Sequence, residues 1–83
     1  MNFLHKAFKL SSRNVVRVRL NKVANVFLLS DANFRKYKAG YSFEYYGGRA
    51  KRNIVNLSVP KTGRWHLVID GFSGTLKYGY QII

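Results

Sequence analysis

The chain contains no cysteine and only one proline in 83 residues. Without cysteine there is no disulfide framework, no thiolate metal site and no cysteine nucleophile. The longest apolar run, residues 26–29, is far shorter than the roughly 20 residues that a membrane-spanning helix needs. The first residues also lack the apolar region of a secretory signal, so we expect no signal peptide and a cytoplasmic location.

Acidic residues are scarce as well: three Asp and Glu stand against 15 Lys and Arg, which gives a net charge of +12 at pH 7. A charge this large on a short chain destabilises the compact state by self-repulsion unless an anionic partner offsets it. The hydrophobic fraction of 47% is ordinary for a folded globule. We therefore expect residues 1–83 to fold as one domain, and the excess of cations is the feature most informative about function.

Apolar and polar residues alternate along several segments, which is typical of half-buried β-strands. In residues 15–20, valines and a leucine alternate with Arg17 and Arg19, and the same period recurs in 55–59, 65–70 and 75–82. Trp65 falls in the apolar series and is interpreted as a core residue. Residues 26–29 are apolar at every position and predict a strand covered on both sides. Together these segments predict an all-β fold, a small antiparallel β-sandwich that is jelly-roll-like.

Residues 30–40 interrupt the alternation and predict one short helix. Asp31 is the expected N-cap, Gly40 the expected stop, and Phe34 and Tyr37 are spaced to pin one or two helical turns to the sheet. Strand character resumes at residues 41–46. The pair Gly47-Gly48 then predicts a tight hairpin turn before a return strand over 49–59.

Three spaced motifs cover nearly the whole chain. They are Asp31-x-Asn33-x-x-x-Tyr37-x-x-Gly40, Phe43-x-Tyr45-x-Gly47-Gly48 and Val59-Pro60-x-x-Gly63-x-Trp65-x-x-Val68-Ile69-Asp70. This combination resembles the bacterial domain-of-unknown-function family 1883. The resemblance implies a small β-rich domain, found alone or joined to Toll/interleukin-receptor-like signalling domains, with no assigned reaction and no catalytic residue to carry over. The chain differs from the family pattern in its many added Lys and Arg.

The titratable residues argue against catalysis and metal binding. Metal sites generally use three or four ligands, whereas only Asp31, Glu44 and Asp70 accompany His5 and His66. His66 and Asp70 would lie about 13 Å apart along one strand. We interpret His66 as an edge histidine and Asp70 as the start of a turn, and nothing places a serine beside an oriented histidine. The sequence therefore predicts no enzyme, no metal and no cofactor.

The basic and aromatic residues suggest a non-enzymatic binding module for a polyanion. Lysine and arginine neutralise phosphates with release of counterions, and tyrosine rings stack on unpaired bases. The candidate binding residues are Arg17, Arg19, Arg49, Lys51, Arg52, Tyr45 and Tyr46. The last five would gather at the tip of the predicted hairpin. Nucleic acid is the first candidate ligand and anionic lipid the second.

Two other interpretations stay open. The tyrosines at positions 41, 45, 46, 78 and 80 are more than a small core needs, so several should be exposed. The family resemblance suggests an alternative function, a protein-interaction or sensor module that docks a protein partner or a second copy of itself through exposed tyrosines, with the charge serving solubility. The basic surface can also be purely solvating, with lysines on edge strands discouraging aggregation. The oligomeric state is not determined by the sequence.

Overall fold

The computed structural model of the protein describes residues 3–83, which form seven strands and one helix. In chain order the elements are β1 (Leu4–Leu10), β2 (Val15–Leu20), β3 (Ala24–Leu29), α1 (Asp31–Ala39), β4 (Tyr46–Ala50), β5 (Ile54–Ser58), β6 (Gly63–Asp70) and β7 (Tyr78–Ile82). Within this part of the chain, no helix has the length and apolarity to cross a bilayer. The predicted all-β class with one short helix is confirmed.

The strands form two antiparallel sheets that pack face to face. One sheet has four strands in the order β1-β6-β3-β4, and the other has three in the order β5-β2-β7. The inner faces share one apolar core whose members include Val16, Val18, Leu20, Val26, Leu28, Leu57, Trp65, Leu67 and Ile69. The predicted sandwich is confirmed, and so is the place of Trp65 in its core. Because successive side chains on a strand point to opposite faces, Arg17 and Arg19 of β2 lie on the outer face.

The helix covers the outer face of the four-stranded sheet. Phe34 and Tyr37 of α1 are buried together with Leu29 of β3 and Val68 of β6, so β3 is covered on both sides, as predicted. The Tyr37 hydroxyl also donates a hydrogen bond to the carboxylate of Asp70 at the end of β6. Apolar packing and one buried hydrogen bond together fix the helix on the sheet.

The helix begins one residue earlier than predicted. Ser30 is the N-cap, and its hydroxyl accepts a hydrogen bond from the Asn33 backbone N–H at 3.3 Å. The prediction of Asp31 as N-cap is wrong, because the serine hydroxyl already satisfies the free N–H group. Asp31 lies instead in the first turn, where the helix dipole favours a carboxylate. The predicted stop at Gly40 is confirmed, since this residue has φ 81°.

The predicted hairpin at Gly47-Gly48 is wrong. Both glycines lie inside β4, opposite Phe27 and Val26 of β3, and β4 and β5 belong to different sheets. Residues 41–45 are not part of a strand. The reason is close backbone approach: Gly47 has φ 114°, and a Cβ there would lie 2.2 Å from the Val26 carbonyl oxygen. Glycine in this strand therefore allows two strands to meet tightly rather than making a turn.

The first strand was not predicted, and it changes the place of His66. β1 pairs with β6 from Leu4 opposite Ile69 to Leu10 opposite Gly63. Because β1 covers its edge, β6 is an inner strand and His66 is only 6% exposed. The interpretation of His66 as an edge histidine is therefore wrong. The alternation in β1 is obscured by Lys6, which shares the parity of the inward-facing residues.

The close approach at Gly47 predicts a difference between two neighbouring substitutions. Gly48→Ala places a Cβ in open space and should cost about 1–2 kcal/mol of unfolding free energy from its positive φ. Gly47→Ala adds a clash with a backbone oxygen and should cost at least about 2 kcal/mol more. Urea denaturation of both variants measures the difference. Equal losses would contradict the packing of β4 on β3.

The Tyr37–Asp70 hydrogen bond should contribute to stability. Tyr37→Phe keeps the ring in the cluster but leaves the carboxylate without this donor, so we expect a loss of about 1.5–3 kcal/mol in unfolding free energy. The matched control is Tyr41→Phe at a tyrosine that is 71% exposed, which should change stability by less than about 0.5 kcal/mol. Urea denaturation near neutral pH measures both. Similar values for the two variants would show that the bond contributes nothing.

Candidate polyanion-binding surface

The outer face of the three-stranded sheet presents two arginines on its central strand. Its other members come from the two flanking strands, and the face includes Arg17 and Arg19 of β2, Ile54 and Asn56 of β5, and Gly79 and Gln81 of β7. Nothing on the outer side of the described sandwich packs over this face: α1 covers the other sheet. The sheet therefore offers a solvent-facing surface with two cations at its centre.

Local contacts shape this face into a shallow concavity. The Arg17 Nε donates a hydrogen bond to Asn56 Oδ1 at 3.0 Å, which orients the guanidinium with a neutral partner and leaves its charge uncompensated. Gly79 lies opposite Arg19 and contributes no side chain there. The resulting concavity is lined by Arg17, Arg19, Gly79, Tyr80 and Gln81.

The two guanidinium groups are suited to binding an anionic polymer. Residues two apart on one strand are separated by about 6.6 Å along its axis, so Arg17 and Arg19 can engage two different anionic groups. Each guanidinium has a planar fork of donors that binds phosphate or carboxylate in a bidentate manner. The face therefore offers hydrogen-bond donors and positive charge at a spacing that suits two anionic groups. It has no deep cavity for a small ligand.

A second groove extends the basic surface past Arg19. It is lined by Arg19, Leu20, Asn21, Asn53, Lys77 and Tyr78, together with Gly79. The Lys77 backbone N–H donates to Asn21 Oδ1 at 2.9 Å, which holds the start of β7 beside the end of β2. Lys77 was not among the predicted binding residues, whereas the ring of Tyr80 packs on Phe8, with ring centroids 5.2 Å apart, and lies opposite the buried Val18. The period-2 pattern of β7 was visible, but its pairing with β2 was not.

The three carboxylates all lie on the helix side of the molecule. Asp31 is in the first turn of α1, and Glu44 follows the helix with its backbone N–H bonded to Asn33 Oδ1. Asp70 faces Tyr37. Arg64 lies 3.6 Å from Asp31 and is the one Lys or Arg in residues 3–83 within 4.0 Å of a carboxylate. The outer face of the three-stranded sheet consequently carries cations with no Asp or Glu neighbour.

The other predicted cations do not join Arg17 and Arg19. Arg49 lies on the outer face of the four-stranded sheet, where its Nη1 donates to the Gly71 carbonyl at 2.9 Å and approaches Asn25 Oδ1 at 3.4 Å. Lys51 and Arg52 are exposed in the connection from β4 to β5. Arg49, Lys51 and Arg52 nevertheless line one groove along β4 and the start of β5, so the predicted cations form two groups, with Arg17 and Arg19 in the other.

The predicted tyrosines point in different directions. Tyr45 packs on Phe27, with ring centroids 4.6 Å apart, on the helix side. Tyr46 packs against Trp65 in a T-shaped arrangement, with ring centroids 5.9 Å apart. Both are about half exposed, but they do not form one stacking platform. The prediction that rings and cations gather at a hairpin tip is wrong, because β4 continues through the glycines.

The helix side holds the perturbed titratable groups. His66 joins Asp31 and His5 through its two ring nitrogens. The hydrogen bond from His66 holds the pKa of Asp31 below its usual value. Burial, together with the nearby His66 and Lys38, lowers the pKa of His5. Burial and the hydrogen bond to Asp70 raise the pKa of the Tyr37 hydroxyl.

The side chains of Asp31, His66 and His5 form a line rather than a metal centre. Since His66 uses both nitrogens for its neighbours, the three side chains do not converge on one point. Residues 3–83 contain no group of three or more His, Cys, Asp or Glu side chains that could hold a metal ion.

Comparison with known proteins identifies a family but no described activity. The family model for "Domain of unknown function (DUF1883)" matches residues 1–79, a range that includes β1 to β6, α1 and the start of β7. No curated protein and no solved structure matches the chain. The resemblance carried by the spaced Asn, Tyr, Gly-Gly and Gly-x-Trp motifs is thus confirmed, and the chain belongs to the domain-of-unknown-function family 1883.

Proposed function

We propose that the protein is a non-enzymatic binding module whose Arg17–Arg19 face binds a polyanion, with nucleic acid as the preferred ligand. The observation that carries the proposal is that all three Asp and Glu residues lie away from these two arginines. The two arginines lie on an uncovered sheet face, whereas Asp31, Glu44 and Asp70 all lie on the helix side. An anionic polymer on this face meets none of the three Asp and Glu side chains.

The shape of the face favours a polymer over a small anion. A shallow surface buries little of a small ligand, whereas a chain of phosphates gains from several weak contacts and from the counterions that they release. Arg17, Arg19 and Lys77 supply cations along one path across the sheet. Arg52 lines a neighbouring groove together with Ile54, which lies opposite Arg19, and extends the contact. These four cations support a binding site for roughly four phosphates.

Salt dependence provides the sharpest test of this face. If about four phosphates of a DNA duplex are neutralised, the logarithm of the binding constant should fall with that of the salt concentration at a slope of about −3 to −4. The double variant Arg17→Gln/Arg19→Gln should weaken binding and reduce the magnitude of the slope by about 1.8. Fluorescence anisotropy with labelled DNA and RNA, single- and double-stranded, measures both quantities.

The matched control removes the same charge at positions away from this face. Lys36→Gln/Lys61→Gln lowers the net charge by two as well, but should leave the slope close to that of the unchanged protein. Equal effects of the two double variants would mean that net charge alone drives binding and would refute the assignment to the Arg17–Arg19 face. Tighter binding to anionic phospholipid vesicles than to any nucleic acid would replace nucleic acid by lipid as the ligand.

One observation favours a second candidate function, a protein-interaction or sensor module. Tyr41, Tyr45 and Tyr46 are 71%, 48% and 50% exposed and fall within six consecutive residues beside the C-terminal end of α1. Exposed tyrosines are enriched in protein interfaces, because a large rigid ring buries much area at little entropic cost.

This candidate predicts a complex that high salt does not dissociate. Capture of partners from native lysate, at a salt concentration that abolishes nucleic-acid binding, should retain a defined protein. Tyr41→Ser should reduce its capture, whereas Arg17→Gln/Arg19→Gln should not. A capture that the arginine variant abolishes and the tyrosine variant leaves intact would exclude the tyrosine segment as the docking site.

A further inference from the structure

A hydrogen-bonded chain of three titratable side chains crosses the helix side of the sandwich. The Asp31 carboxylate bonds His66 Nε2, and His66 Nδ1 lies 2.8 Å from Nε2 of His5. The two histidines come from neighbouring strands, since Ala7 lies opposite His66 and His5 is two residues away on β1. His66 is buried and His5 is exposed. The chain therefore connects a helix carboxylate, through a buried imidazole, to a solvent-accessible one.

Phe34 holds both imidazole rings in place. Its ring stacks on His5 with centroids 4.1 Å apart and on His66 with centroids 4.4 Å apart. The planes of the two imidazoles differ by 20°. Because the rings are fixed by stacking and by the Nε2–Nδ1 hydrogen bond, Nδ1 of His5 is the free end of the chain.

The hydrogen bonds determine what this free nitrogen can do. A carboxylate only accepts, so His66 Nε2 carries a proton toward Asp31. With both imidazoles neutral, His66 Nδ1 accepts from His5 Nε2–H, and Nδ1 of His5 is an acceptor. One added proton makes Nδ1 of His5 a donor, whether the positive charge is centred on His5 or on His66. A single proton therefore reverses the hydrogen-bonding character of the exposed nitrogen.

The surroundings of His5 favour a negatively charged ligand. The groove around it includes His66 and Arg64 from β6, and Asp31, Arg35 and Lys38 from α1. The one carboxylate is already engaged by His66 and lies 3.6 Å from Arg64. Lys38 Nζ lies 4.7 Å from the centroid of the Phe34 ring, beside the two imidazoles. The groove therefore has three cations and one carboxylate that is already paired, so its net charge is positive.

We propose that this groove binds a tetrahedral oxyanion, such as a sulfate or the phosphate group of a monoester, and takes up one proton as it does so. The neutral free site presents a lone pair at His5 Nδ1, which repels an anion, and the protonated site presents an N–H donor beside Arg64 and Lys38. Anion binding and protonation therefore stabilise each other. This site is on the opposite side of the sandwich from Arg17 and Arg19 and does not depend on the function proposed for them.

Sulfate is the decisive probe, because its own charge does not change in the range where histidine titrates. Calorimetric titrations between about pH 5.5 and 8 should show affinity falling as the pH rises, approaching a limit of about tenfold per pH unit where the free site is neutral. Titrations in buffers of different ionisation enthalpy should show uptake of up to one proton. Inorganic phosphate and a phosphate monoester then distinguish the two sources of the oxyanion.

Three variants separate the proton relay from simple charge. The double variant His5→Gln/His66→Gln should abolish proton uptake, since neither amide can be protonated in this range. Asp31→Asn should shift the pH dependence to lower pH, because it removes the carboxylate that stabilises a protonated relay. Lys9→Gln is the control: it removes one cation from the same face of β1 but leaves the relay intact. It should lower affinity at every pH and preserve proton uptake.

Nitrogen NMR provides a readout that does not require a ligand. At high pH the imidazole spectra should show a proton on His66 Nε2 and none on His5 Nδ1. At low pH both of these nitrogens should carry a proton. Sulfate affinity that does not vary with pH would overturn the proposal, as would proton uptake that persists in His5→Gln/His66→Gln. The Arg17→Gln/Arg19→Gln variant should keep the uptake, so failure of either proposal can be told from failure of the other.

Discussion

The structure depends on the antiparallel pairing of β3 with β6 at the centre of the four-stranded sheet. These two strands are buried on both faces, by the three-stranded sheet on one side and by α1 on the other. Burial on both sides requires apolar residues at nearly every position, and residues 26–29 and 67–69 supply them. With no disulfide available, this doubly covered pair is the main source of apolar burial.

The same arrangement creates two chemically different surfaces. The helix has to be tied to the four-stranded sheet, and its ties are polar as well as apolar: Tyr37 to Asp70, and Asp31 to His66. Two of the three carboxylates are thereby held on the helix side. The three-stranded sheet has no covering layer, so the alternation that buries Val16 and Val18 turns Arg17 and Arg19 toward solvent. The position of these carboxylates, away from Arg17 and Arg19, is in this way a consequence of which sheet the helix covers.

Sequence patterns predicted the fold best where one local rule decided it. The alternation in β2 and β5 marked strands because one face of each packs on the core and the other does not. The pattern failed where the deciding contact came from elsewhere in the chain. Gly47 resembles a turn residue, but it lies within a strand. Glycine is needed there because the Val26 carbonyl oxygen leaves no room for a side chain. His66 resembles an edge residue until β1, which Lys6 obscured, is paired with β6.

The sequence by itself determined the excess of cations, the absence of thiol chemistry, the strand periodicity and, through its spaced motifs, the family. These properties depend on composition or on neighbours a few residues apart. Only the tertiary structure decided which cations share a face and which titratable groups touch. His5 and His66 are 61 positions apart in the sequence. Arg17 and Asn56, which form a side-chain hydrogen bond, are 39 positions apart. Such contacts follow from strand order and register, which long-range packing selects and local pattern does not specify.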